Sequence, residues 1–156
     1  FSDSNIFCFD INISNFKYHS KDITVFGLDI KNKFSIDKIL KKIVKRRKLK
    51  YFDFIIDDGS HNLSDMLFAF KYLFKKLKKN GFYIIEDYKL PNLYKYNRDI
   101  DDILVDNMLK HLINKKTFNS NILSEADQIF FQKKIKKIYL EKGRLKESNI
   151  CFIKKI

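Results

Sequence analysis

The dominant pattern along the chain is a series of short apolar runs that each end in an acid. Ile6-Phe7-Cys8-Phe9-Asp10, Ile23-Thr24-Val25-Phe26-Gly27-Leu28-Asp29, Phe52-Asp53-Phe54-Ile55-Ile56-Asp57-Asp58 and Phe82-Tyr83-Ile84-Ile85-Glu86-Asp87 share this form. The third and fourth read as parallel-sheet strands buried by covering layers on both faces. Helical periodicity lies between the runs. Ile36, Ile39, Leu40, Ile43 and Val44 mark one apolar helix face; Met66, Phe70, Leu73, Phe74 and Leu77 mark a second, with Asn80-Gly81 expected to close it through a left-handed glycine cap.

Beyond Glu86-Asp87, the segment 88–98 carries Pro91, Tyr88, Tyr94 and Tyr96 and predicts a loop over the strand ends. Ile100, Ile103, Leu104, Met108 and Leu112 predict another helix, capped by Asp99 with Asp101 and Asp102 in its first turn. A short helix is expected over 123–131, opened by Ser124. Ile138-Tyr139-Leu140 and Ile150-Cys151-Phe152-Ile153 then predict an antiparallel hairpin around a turn at 142–149.

An α/β fold follows. In a right-handed strand-helix-strand unit both strands run the same way, so Asp58 and Glu86-Asp87 emerge at one carboxyl edge, where such folds bind ligands. Three carboxylates converging there repel one another unless a cation lies between them, and an all-oxygen set suits a hard ion such as magnesium. His61 stands three residues past Asp58, and an imidazole titrates near neutrality, so it could take a proton from a substrate hydroxyl. The competing local reading makes these acids caps of the following helices and the histidine a partner of backbone groups. His111, far along its helix, reads as structural or surface-exposed.

With 156 residues, 45% of them hydrophobic and 15% aromatic, the chain is expected to form one domain, 1–156, with a substantial core. Cys8 and Cys151 each sit inside an apolar run, which predicts reduced, buried thiols in a cytoplasmic protein. No apolar run approaches the roughly 18 residues needed to cross a bilayer, and no signal-peptide pattern opens the chain, so no membrane partner is expected. The formal charge of +13 raises a nucleic-acid hypothesis. It is disfavoured, because the eight basic residues from Lys38 to Lys50 have no aromatic among them, and lysine is abundant here alongside the other residues that AT-rich codons favour.

The string Phe52 to His61, followed after one helix by Asn80 to Asp87, closely resembles a family of class I S-adenosylmethionine-dependent methyltransferases: the magnesium-dependent sugar O-methyltransferases of macrolide biosynthesis and the related cephalosporin hydroxylase-like proteins. The resemblance implies a Rossmann-like three-layer sandwich, its sheet mostly parallel with a C-terminal antiparallel hairpin. It implies that Asp58, Glu86 and Asp87 hold the metal, that His61 is the base, and that Asp10 and Asp29 meet the cofactor's ribose and adenine. Cys8 and Leu28 stand where the family has glycine before those two acids.

The same resemblance implies an opening strand and a glycine-rich turn that do not precede Ser4, so the chain is expected to be an N-terminally incomplete copy lacking a central strand. The expected function is methyl transfer from S-adenosylmethionine to a hydroxyl of a sugar or other small acceptor, with homo-oligomerisation left open. The alternative is a catalytically inactive methyltransferase-fold domain that binds nucleic acid or a protein partner through its basic surface.

Overall fold

The computed structural model describes residues 4–18, 20–144 and 148–156, apart from the Arg46 side chain. His19 in the connection between the first two runs, and residues 145–147 at the tip of the expected 142–149 turn, lie outside them. The chain forms two compact units, Phe1–Leu49 and Lys50–Ile156.

In the first unit, β1 (Ile6–Asp10) and β2 (Ile23–Gly27) pair in parallel, in register from Ile6↔Ile23 to Asp10↔Gly27. Helix α1 (Lys33–Arg47) starts where the Asn32 side chain accepts the Ser35 N–H at 3.0 Å and ends at Lys48, whose φ of 52° is left-handed. Ile36, Ile39, Leu40 and Ile43 are buried as their spacing predicts, while Val44 lies at the margin of the apolar stripe, 45% exposed. The thiol of Cys8 is only half-buried, so the expectation of a buried cysteine holds for Cys151 and not here.

The second unit carries β3 (Phe52–Asp57), α2 (Leu63–Leu73), β4 (Leu77–Glu86), α3 (Lys95–Arg98), α4 (Val105–Ile113), α5 (Glu125–Lys134), β5 (Ile135–Lys142) and β6 (Asn149–Lys155). Its sheet has the order β3-β4-β6-β5; β3 and β4 run parallel, and both other pairings are antiparallel. The sheet is therefore mixed rather than mostly parallel, because the expected C-terminal hairpin inserts β6 beside β4 and leaves β5 at the edge.

One face of this sheet is the core. Tyr83, Ile85, Cys151 and Ile153 are fully buried there. Phe70 of α2 meets Tyr83 edge-on at 5.3 Å and Phe131 of α5 at 4.6 Å, and Phe74 packs 5.6 Å from Phe131. Each such ring contributes about 2–3 kcal/mol through removal of apolar surface from water. The Cys151 thiol, pushed up to about 12 by burial, is an inert part of this core. The opposite face corrects the expectation for β3: Phe54 is 53% and Ile56 60% exposed, so the elements of this unit cover β3 on one face only.

Three boundaries also differ from the sequence pattern. The second helix stops at Leu73 and passes through a 3₁₀ turn, Phe74–Lys76, because Leu77 already pairs with Phe52 as the first residue of β4. Pairing then slips and resumes at Phe54↔Phe82. Asn80, not Gly81, takes the left-handed conformation, at φ 64°. Gly81 serves close approach instead, since a Cβ there would lie 2.8 Å from the Asp53 carbonyl oxygen.

Segment 88–98 is no open loop: it forms a 3₁₀ turn, Leu90–Leu93, and α3, with Tyr88, Pro91 and Asn97 buried. The following helix begins at Val105, with Asp99 ending α3 rather than capping it. The Asp102 carboxylate accepts the N–H groups of Ile103, Asn121 and Ile122, which makes it a strut between two loops instead of a first-turn acid. Ser124 does cap α5, accepting the Asp127 N–H.

Candidate functional site

The site begins with the register of β3 and β4. Their last parallel pair is Asp57↔Ile85, so Asp58 follows β3 at the level where Glu86 ends β4, still paired with Ile150 of β6, and Asp87 comes one step on. The shared edge read from the sequence is thus formed. Asp58 is largely exposed, whereas Glu86 and Asp87 are half-buried, and Asp87 turns sharply at φ 47°. Among the described residues no three His, Cys, Asp or Glu side chains close around a point that could hold a metal ion. The donor chemistry nevertheless fits a hard cation: Asp58, Glu86 and Asp87 are three carboxylates at the neighbouring ends of the parallel strands β3 and β4.

His61 lies beside Asp58. Its Nε2 stands 3.8 Å from Asp58 Oδ1, is buried, and makes no hydrogen bond within the protein. A buried polar atom without a partner is uncommon in folded proteins and calls for a physical reason. The backbone there is left-handed, φ 55°, in the connection 58–62 between β3 and α2. Ser60 and Asn62 both reach Asp65, at 2.6 and 3.3 Å, which pins this turn onto the first turn of α2.

Two functional neighbours escape sequence reasoning. Asp57, the acid before Asp58, points into the covered face and accepts the Tyr83 hydroxyl at 3.0 Å. Desolvation by burial pushes its carboxyl up to about 6, although the Tyr83 hydrogen bond and the proximity of His61 pull the other way. The pleat carried that signal, since Asp53, Ile55 and Asp57 alternate to one side. Asn97 is the second: wholly buried, it accepts the Leu63 N–H at 3.0 Å and donates to the His61 carbonyl at 3.2 Å. Nothing in the spacing of Asn97 announces this.

In the first unit, Asp10 ends β1 and Asp29 follows β2 by two residues, both exposed. Each uses its Oδ1 to hold its own loop, accepting the N–H of Asn12 at 2.8 Å and of Lys31 at 2.9 Å. His111 is structural, as expected, its Nδ1 3.0 Å from the Thr117 carbonyl and its ring edge-on to Phe118.

No protein-family model matches the chain, and no curated protein matches it. Solved structures do. The MycE methyltransferase from the mycinamycin biosynthetic pathway, in complex with Mg and SAH, aligns with a TM-score of 0.65 and 23% identity over 97% of this chain and 36% of its own. MycE in complex with Mg, SAH and mycinamycin VI gives 0.61 at 19% identity with the same coverage. The likeness is one of fold, an α/β fold similar to that of MycE, and this chain spans 36% of the length of that neighbour.

Proposed function

We propose that this chain is part of an S-adenosylmethionine-dependent, magnesium-dependent O-methyltransferase acting on a sugar or another small hydroxylated acceptor. The observation that carries the reading is His61 Nε2, buried and unpartnered, 3.8 Å from Asp58 on a carboxylate-lined strand edge. The fold shared with MycE, crystallised with Mg and SAH, supports the choice of cofactors.

Asp58, Glu86 and Asp87 would hold magnesium, and Asp10 and Asp29 the ribose and adenine of the methyl donor. When bound, the ion makes an acceptor hydroxyl more acidic and the sulfonium supplies the methyl group. His61 Nε2 would take the proton of the acceptor hydroxyl, and that oxygen would receive the methyl group in place of the donor's sulfur. Asp58, 3.8 Å away, would stabilise the imidazolium that forms.

The test uses the protein that carries this chain, with methyl transfer to sugar-bearing acceptors followed by release of SAH. His61→Ala should lower turnover about 100- to 10,000-fold with a near-normal melting temperature, because a positioned base contributes on that scale. Excess chelator should abolish transfer and magnesium restore it. Undiminished transfer in chelator, or by His61→Ala, would overturn the corresponding role.

A further inference from the structure

We infer that Asn97 is a positioning residue for His61, so that the short helix α3 sets the aim of the catalytic base; this rests on the reading of His61 above. The side-chain amide of Asn97 bridges two backbone groups on either side of Asn62: Oδ1 takes the Leu63 N–H at 3.0 Å and Nδ2 gives a hydrogen bond to the His61 carbonyl at 3.2 Å. Leu63 opens α2, where backbone N–H groups lack intrahelical partners, and the N-cap residue Asn62 makes no side-chain cap. Asn97 supplies that cap from 34 positions away.

The second bond acts on His61 itself. A histidine at φ 55° is in a sparsely populated region and stays there only if its surroundings hold it. The peptide following His61 is clamped by the amide of a residue that is 0% exposed, so rotation of the turn would break a part-buried hydrogen bond. The amide cannot be reversed, because reversal would face N–H against N–H at Leu63 and oxygen against oxygen at His61. Leu63, also wholly buried, anchors the other end of the bridge.

The experiment is NMR on the isotope-labelled intact chain. The unaltered protein should show slow exchange of the Asn97 side-chain amide, a scalar coupling from Nδ2 to the His61 carbonyl carbon, and the Cα–Hα coupling of positive φ at His61. Asn97→Asp, examined above pH 8 so that the buried carboxyl is ionised, keeps an acceptor for Leu63 but has no donor for His61. It should leave Leu63 protected while the His61 positive-φ signature disappears and its ring resonances move. Asn97→Ala should lose both, with Leu63 exchanging about tenfold faster, the effect of one hydrogen bond. A freely exchanging Asn97 amide in the unaltered chain, or unchanged His61 signals in either variant, would overturn the proposal. The first of these measurements needs no variant to fold. Normal turnover by His61→Ala would instead remove the base and leave the NMR result standing, so the two failures are distinct.

Discussion

Asp57 offers a test of the site that needs no substrate. Its carboxyl is held at about 6 by burial beside Tyr83, against 3.8 for an ordinary aspartate. The folded chain therefore binds this proton more tightly than the unfolded chain does. The resulting stabilisation is complete below about pH 3.8 and is lost as pH rises through about 6. A shift of roughly two units corresponds to up to about 3 kcal/mol. Asp57→Asn removes this loss, because an uncharged amide of the same shape can still accept the Tyr83 hydroxyl. In metal-free buffer with chelator, urea unfolding between pH 4 and pH 8 should show the variant gaining on the parent by about 2–3 kcal/mol, nearly all of it between pH 4 and 6. A difference that stays flat across that window would refute the argument, and would mean that Asp57 is better solvated than its place beneath the sheet implies.

Two further substitutions probe the frame around the site. Gly81→Ala would drive a methyl to within 2.8 Å of the Asp53 carbonyl oxygen, where β3 and β4 slip register, and should cost about 2–3 kcal/mol by urea unfolding; an unaltered midpoint would show that the strands can separate there. The Asp127 carboxyl is pushed up by burial, but hydrogen bonds from Lys75, Ser124 and Lys71 outweigh this and bring it down to about 2. Its contribution is present above about pH 3.8 and is lost as pH falls through about 2. Asp127→Asn should thus cost about 2 kcal/mol at pH 7 and almost nothing near pH 2, and an equal cost at both ends would sink that account.

The sequence alone determined the strands, most of the helices and the edge at which the acids collect. Apolar runs ending in Asp10, Asp58 and Glu86 specify strand ends locally, and a parallel β3–β4 unit leaves its carboxyl termini nowhere else to go. His61 was legible for the same reason, being three residues from Asp58 in the chain and 3.8 Å from it in space. Tertiary structure decided what local pattern cannot encode. Register ended α2 at Leu73 instead of near Asn80, since pairing of Leu77 with Phe52 outweighs continued helical periodicity. Buried side-chain bonds made Asp102 a strut and moved the start of α4 to Val105. Whether a strand is covered on one face or both depends on which elements pack against it, so the exposure of Phe54 and Ile56 could not be read from an apolar run. Asn97 is the extreme case: in the sequence it is one more polar residue in a tyrosine-rich segment, and only folding carries its amide across 36 positions to the backbone of the proposed base.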